Sequence, residues 1–270
     1  MTRSRFALFI FALIFFTVLL VKNSYADIRG LPSITVLAPS SLTQPITELI
    51  TIYSRSNNIT VTATYGATPE QASRISDGEP GDVFISAHPS WMLDLKQKGL
   101  IDVYSLTNLV KNQLTLVASK NSFFKYGPVS GNSLASKLSY VNSRSIMVIG
   151  DPNETALGLY TKETITNLDN KNGTNLWQSF DRKTIKSSNS QNNLYLISHG
   201  ETAGITYYSD AYNNPEVAVI ATINDDLHDP IIYQAAVVAG ENMTLARGFL
   251  KFISSTESKA IFRKYGFSTE

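Results

Sequence analysis

The chain has 270 residues, a formal net charge of +1 and no cysteine. The lack of cysteine excludes disulfides, thiol catalysis, zinc–thiolate sites and a lipid-anchoring cysteine. A nearly balanced charge gives no support for binding to nucleic acid or to a membrane surface. The length suits either one large domain or two lobes.

Residues 1–26 predict a cleaved secretory signal peptide. Arg3 and Arg5 form a basic start, residues 6–21 form an apolar run, and Ser24 and Ala26 supply small residues for a cleavage site. The apolar run is shorter than the roughly 20 residues that a membrane span needs. We therefore expect a mature chain that starts near residue 27, free in a periplasm.

Two predicted strand-to-helix junctions each carry a hydroxyl residue. Residues 34–38 predict a buried strand, and Ser41 then begins an S-x-x-Q pattern typical of a helix cap. Residues 61–65 predict a second strand, after which Thr68 begins a T-x-x-Q pattern. Helix N-termini present free N–H groups and partial positive charge, which suits anions. The two junctions could share an anion site, or could be ordinary caps that bind nothing.

Predicted strands and helices alternate along most of the chain, which indicates an α/β fold with parallel sheets and helices on both faces. No low-complexity linker separates two halves. If there are two lobes, we therefore expect strands themselves to cross between them. The candidates are the long apolar strands at residues 114–118 and 217–222.

Several short segments occur in a specific order along the chain. They are Ile34-Thr35-Val36 with Ser41-Leu42-Thr43, Asp82-Val83-Phe84-Ile85 with Trp91-Met92, Gly150-Asp151-Pro152 with Gly158 and Tyr160, Gly204-Ile205-Thr206-Tyr207 with Ser209-Asp210-Ala211, and Lys264-Tyr265-Gly266-Phe267. In this order the chain resembles the periplasmic molybdate-binding proteins of bacterial ABC importers. The resemblance covers nearly all of the mature chain.

The resemblance implies a two-lobed periplasmic binding protein of the type II fold. Each lobe would be a mostly parallel sheet flanked by helices, with the ligand cleft between the lobes. We expect lobe 1 to contain residues 27–113 and 226–270, and lobe 2 to contain residues 114–225.

The resemblance also implies a tetrahedral oxyanion ligand, molybdate or tungstate, held by uncharged donors. The matching positions are Ser41, Thr68, Leu157, Ser190 and Tyr207. Hydroxyl groups would come from Ser41, Thr68 and Tyr207, and backbone N–H groups from the other two. Thr68, Leu157 and Ser190 depart from the residues usual in the family, and a one-residue gap near Ser190 leaves Asn189 as an alternative to it.

The family resemblance implies a monomer that delivers its anion to the membrane permease of an ABC importer, without enzyme activity, cofactor or metal. We expect Ser41 and Tyr207 on opposite lobes, with each hydroxyl group facing an open cleft when no ligand is present. Glu70 should point away from the cleft, because a carboxylate about 5–6 Å from a dianion would oppose binding by about 5–7 kcal/mol at an effective dielectric constant near 20. Ser40 is interpreted as a turn residue.

The sequence also allows other functions. The ligand could be sulfate or phosphate, or a ferric ion held by the adjacent Tyr207 and Tyr208. A hydrolase that uses Ser41 is a further alternative, although this serine lacks the G-x-S-x-G elbow and a partnered histidine. Three histidines lack the spacing typical of metal ligands: His88, His199 and His228.

Overall fold

The structure is a computed structural model that describes residues 30–122, 124 and 133–269. The predicted signal peptide, residues 1–26, lies outside the described residues. Within the described ranges, no helix is both long enough and apolar enough to cross a membrane.

The described part of the chain forms two five-stranded sheets with helices packed around them. The strands are β1 Ser33–Pro39, β2 Thr60–Gly66, β3 Val83–Ser86, β4 Thr107–Lys111, β5 Leu114–Ser119, β6 Met147–Gly150, β7 Ile185–Ser187, β8 Ala203–Tyr207, β9 Val217–Thr222 and β10 Ile232–Val237. The helices are α1 Thr43–Asn57, α2 Thr68–Ser76, α3 Pro89–Gln97, α4 Leu134–Arg144, α5 Ala156–Asn172, α6 Leu176–Asp181, α7 Ser190–His199, α8 Tyr208–Ala211, α9 Met243–Ile253 and α10 Thr256–Lys264.

The first sheet has the strand order β2-β1-β3-β10-β4, and the second has the order β7-β6-β8-β5-β9. The two-lobed α/β architecture with mostly parallel sheets is thus confirmed, since four of the five strands in each sheet run in the same direction. In the first sheet β1 pairs parallel with β2 and β3, while β10 pairs antiparallel with β3 and β4. In the second, β6 pairs parallel with β7 and β8, while β5 pairs antiparallel with β8 and β9. Strands β5 and β10 each arrive directly from the other sheet, without the helical crossover that a parallel neighbour requires.

Short segments, rather than long strands, carry the chain between the sheets. Within the described residues, the chain leaves the first sheet through Asn112 and Gln113, and it returns through residues 223–231. The expectation that residues 114–118 and 217–222 cross between lobes is wrong, because both strands pair within the second sheet. Every residue of β5 is buried, as expected for a strand inside a sheet and not for a connection between two sheets.

Apolar strands form the centre of each sheet. Strands β3, β5, β6 and β8 are buried along their whole length, as expected for strands covered by helices on both faces. Strands β1 and β2 in the first sheet, and β6 and β7 in the second, each lead through a short turn into a helix. Ligands of open α/β sheets bind outside the carboxyl ends of such strands, so these junctions are the natural place for a site.

Candidate functional site

A small cavity lies where helix starts from both sheets meet. Its volume is about 20 Å³. The turn after β1 and the start of α2 come from the first sheet, while the starts of α5 and α7 come from the second. The cavity is lined by Pro39, Ser40, Ser41, Gly66, Ala67, Thr68, Ala87, Thr155, Ala156, Leu157, Asn189, Ser190 and Tyr207.

The five residues predicted to bind the ligand all line this one cavity. Ser41 and Thr68 belong to the side of the first sheet, and Leu157, Ser190 and Tyr207 belong to the side of the second. The structure therefore brings together residues that are as far apart in the sequence as 41 and 207. Their roles as ligands to a bound anion stay predictions.

The described residues that line the cavity include no charged side chain. Partial positive charge comes instead from the helix N-termini, whose N–H groups point toward the cavity end of each helix. Such a site attracts an anion without offering a counter-charge of its own.

Backbone N–H groups at two helix starts remain available as donors. In α5 the first intrahelical hydrogen bond is donated by Leu159, two residues after Leu157. In α7 it is donated by Asn193, three residues after Ser190. The N–H groups of Leu157 and Ser190 therefore precede the helical ladder and have no partner within the helix. Both can donate to an anion in the cavity.

Tyr207 offers a buried hydroxyl group that has no hydrogen-bond partner. The residue ends β8 and is only 2 % exposed. No neighbouring atom meets hydrogen-bond geometry with the hydroxyl group, although Tyr233 lies close enough to influence its pKa. Burial raises the pKa of Tyr207 well above its ordinary value, and Tyr233 raises it further, so the hydroxyl group keeps its proton. A buried unsatisfied donor of this kind needs an explanation, and a ligand provides one.

A hydrogen-bond network holds the Ser41 hydroxyl group. Asn112 Oδ1 accepts the backbone N–H groups of Gln113 at 2.9 Å and Ser209 at 3.3 Å, which fixes the orientation of the amide. Asn112 Nδ2 therefore donates to Tyr233 Oη at 3.3 Å. Tyr233 Oη lies 2.8 Å from Ser41 Oγ, and either hydroxyl group can donate in this bond. When Tyr233 donates, the Ser41 hydrogen is left for another acceptor, such as an anion.

The structure corrects expectations about Ser41, Tyr207 and Thr68. Ser41 does not cap a helix, because it lies in a 3-10 turn, Ser40–Leu42, and α1 begins at Thr43 without a side-chain cap. Ser41 and Tyr207 do not face an open cleft, since both residues are buried. Thr68 is the first residue of α2 rather than its cap, and its Oγ1 accepts the N–H of Ala87 at 3.2 Å. The capping patterns gave the wrong role for Ser41 and Thr68 because each hydroxyl group has a tertiary hydrogen-bond partner.

Ser40 also lines the cavity, which the sequence interpretation missed. Its hydroxyl group lies 3.0 Å from that of Ser190 and so joins the two sheets. The signal in the sequence was the pair of adjacent serines at the end of a predicted strand. The alternative residue Asn189 lines the cavity too, but its side chain accepts the N–H of Asn192 and caps α7.

Glu70 is exposed and does not line the cavity, as predicted. Its Oε1 lies 3.2 Å from Arg74 in an ion pair one helical turn away. The carboxylate packs beside Gly66, where a Cβ would lie 2.4 Å from Glu70 Oε2.

Replacing Glu70 with glutamine is therefore expected to change anion affinity by less than about threefold, since its charge is paired and screened by solvent. Isothermal titration calorimetry measures the change. Glu79→Gln is a matched control, because Glu79 pairs with the same Arg74 at 3.3 Å. A gain on the order of a hundredfold for Glu70→Gln alone would show that the carboxylate repels the ligand directly.

Residues 34–268 match the family described as bacterial extracellular solute-binding protein. The chain belongs to this family.

A curated relative of this solute-binding protein is the molybdate-binding protein ModA of Escherichia coli, which is 31 % identical over 247 residues, covering 91 % of each chain. Among solved structures, the periplasmic molybdate-binding protein of Azotobacter vinelandii has a TM-score of 0.72 at 16 % identity, over 87 % of this chain and 98 % of that one. The sulfate-binding protein SubI of Mycobacterium tuberculosis also has a TM-score of 0.72, at 14 % identity, over 87 % and 86 % of the two chains. The resemblance predicted from the sequence is confirmed at the level of family and fold.

Proposed function

We propose that this solute-binding protein captures molybdate or tungstate outside the cytoplasmic membrane and delivers it to the permease of an ABC importer. One observation carries the proposal: a cavity between the two sheets gathers uncharged donors and no charged side chain among the described residues that line it. The sequence relationship to the Escherichia coli molybdate-binding protein supports the choice of anion.

The chemistry of the cavity suits a dianion that carries no hydrogen. Taking a dianion out of water is costly, so buried donors must replace its hydration shell. Ser41, Thr68 and Tyr207 can each donate an O–H, and Leu157 and Ser190 can each donate an N–H. Hydrogen bonds to a charged partner contribute about 1.5–3 kcal/mol each. Several together account for sub-micromolar affinity without lysine or arginine.

A ligand in this cavity would bridge two lobes. We assign residues 27–113 and 226–270 to one lobe and residues 114–225 to the other, in agreement with the strands of each sheet. Ser41 and Tyr207 lie on opposite lobes in this assignment. Binding is therefore expected to draw the lobes together around the anion, and the protein is expected to act as a monomer.

A thermal-shift screen with molybdate, tungstate, sulfate and phosphate tests the function. A ligand that binds only the folded state stabilises it by about 2.7 kcal/mol at a hundredfold excess over Kd. We expect a rise of several degrees in the Tm of the mature chain with molybdate and tungstate and little with sulfate. An equal response to sulfate would contradict the specificity, and no response to any oxyanion would contradict the function.

Sulfate is the second candidate, because it too is a dianion without hydrogen, and a cavity of donors alone accepts it. The sulfate-binding protein SubI has the same fold. The remaining alternatives find no support in the site. Tyr208 and the three histidines are not among the described residues that line the cavity. Ser41 is bonded to Tyr233 rather than to a histidine that could act as a base.

A further inference from the structure

A second, larger cavity lies beside the anion cavity and shares part of its wall. Its volume is about 430 Å³. Ser40 and Ser41 line both cavities. The other walls come from α8 and the loop after it, and from the end of α10. Asp210, on α8, also lines the larger cavity.

The carboxyl group of Asp210 has little to stabilise a negative charge. Part of the residue is reached from the larger cavity, but its Oδ2 is buried and has no hydrogen-bond partner. The Ser190 hydroxyl group lies beside the carboxyl group and lowers its pKa, but burial raises it more, to about 7. Asp210 is therefore close to half-protonated at neutral pH.

The groups around Asp210 do not supply a compensating charge. On the elements packed against α8, strands β5 and β9 carry no titratable residue, and α7 carries Tyr195 and His199, the latter at its far end. Tyr207 and Tyr233 face the carboxyl group, and burial raises the pKa of both, so they stay neutral.

The nearest cation in the cavity wall is engaged elsewhere. Lys264 Nζ forms an ion pair with Glu48 at 2.7 Å, and the hydroxyl group of Tyr265 donates to the same carboxylate at 2.7 Å. Among the described residues, Asp210 has no ion-pair partner. A negative charge there would face a bound dianion across Ser190 and Ser40.

We propose that Asp210 couples one proton to anion capture, taking it up from solvent so that its carboxyl group is neutral while a dianion occupies the neighbouring cavity. This inference rests on the proposed function. It makes Asp210 a positioning residue, since it touches Ser190 and does not line the anion cavity.

Protonation has two effects on the site. It removes the repulsion between two negative charges in a poorly solvated region. It also changes the direction of a hydrogen bond. An ionised Asp210 accepts the Ser190 O–H, whereas a protonated Asp210 donates to Ser190 Oγ and leaves one hydrogen of the bonded Ser40–Ser190 pair for the anion.

The linkage between anion binding and protonation of Asp210 determines how Kd depends on pH. Because the bound dianion favours the neutral acid, it raises the pKa of Asp210 above its ligand-free value of about 7. Binding above that pH therefore takes up a proton, and Kd rises with pH by up to tenfold per unit. Below about pH 6 Asp210 is already protonated, so binding takes up almost none.

Calorimetry on the mature chain tests this, with sodium molybdate as the probe and with two buffers that differ in ionisation enthalpy. We expect uptake approaching one proton per anion at about pH 8, and almost none at about pH 6. Asp210→Asn should bind without proton uptake and with a Kd that is flat over this range. Asp94→Asn is the matched control, because Asp94 is exposed and paired with Lys98, and it should behave like the parent.

An infrared titration of the ligand-free protein provides an independent measurement. A carboxyl band that is absent from Asp210→Asn should titrate near pH 7. A midpoint near pH 4, no proton uptake by the parent, or equal uptake by Asp210→Asn would each overturn the role of Asp210. If the parent binds no oxyanion although the midpoint lies near 7, the proposed function itself fails, and the coupling fails with it.

Discussion

Replacing Tyr207 with phenylalanine is expected to weaken molybdate binding by roughly tenfold to more than a hundredfold, because one hydrogen bond to a charged ligand is lost. The ligand-free protein should be at least as stable as the parent. The buried Tyr207 hydroxyl group has no hydrogen-bond partner in the structure, so its removal breaks nothing. The loss should appear mainly as faster release of the anion, because we place Tyr207 on the lobe opposite Ser41, where its bond to the anion would hold the lobes together. Calorimetry, stopped-flow release and the Tm of the ligand-free protein measure the three effects.

Tyr160→Phe is a matched control for this experiment. Tyr160 is also fully buried with an unpartnered hydroxyl group, but it does not line the anion cavity. Tyr160→Phe should therefore leave the affinity for molybdate unchanged. A Tyr207→Phe protein that binds as tightly and releases as slowly as the parent would show that Tyr207 is only structural. An equal loss in both variants would point to a general effect of packing.

Replacing Gly158 with alanine is expected to damage both stability and binding. A Cβ at this position would lie 2.3 Å from the carbonyl carbon and oxygen of Asp151 and 2.5 Å from the carbonyl oxygen of Gly150. These are backbone atoms of the turn that leads into α5, so they cannot rotate away as a side chain would. Overpacking of this kind costs about 1–3 kcal/mol, and occasionally more. The start of α5 must shift, and the neighbouring N–H of Leu157 moves with it.

We expect urea unfolding of Gly158→Ala to show this loss of free energy, and calorimetry to show at least tenfold weaker anion binding. Gly240→Ala provides the control, because a Cβ at Gly240 would meet no atom within 4 Å. It should be nearly neutral in both measurements. If Gly158→Ala unfolds at the same urea concentration as the parent and binds normally, then the helix start tolerates displacement and its exact position is unimportant.

Local patterns in the sequence were sufficient for the elements that lie beside the site. The strand predicted at residues 34–38 is β1, Ser33–Pro39, and the strand predicted at residues 61–65 is β2, Thr60–Gly66. Periodicity works here because strand and helix formation depend mainly on neighbouring residues and on the burial of one face. The ordered family motifs then predicted that Thr68, Leu157 and Ser190 share one site, although these residues are far apart in the sequence.

Hydrogen-bond partners could not be predicted in this way. The S-x-x-Q pattern at Ser41 predicts a cap, but the hydroxyl group is instead hydrogen-bonded to that of Tyr233, 192 residues further along the chain. Asn112, in the segment that joins the two sheets, donates to the same Tyr233 hydroxyl group. A hydroxyl group has several possible partners of similar strength, and only the folded geometry selects among them.

The sequence by itself determined the α/β class, the strand ends and the hydroxyl-bearing junctions, because these depend on local periodicity and on residue types that each position requires. The tertiary structure decided which strands run antiparallel, that Asn112 and Gln113 rather than β5 cross between the sheets, and that Asp210 places a buried carboxyl oxygen in the wall of the cavity that adjoins the anion cavity. Strand direction depends on how the chain returns from the other lobe, and the protonation of a carboxyl group depends on the water and charges around it. Both are properties of residues brought together from distant parts of the chain, so they arise only when the two sheets pack against each other.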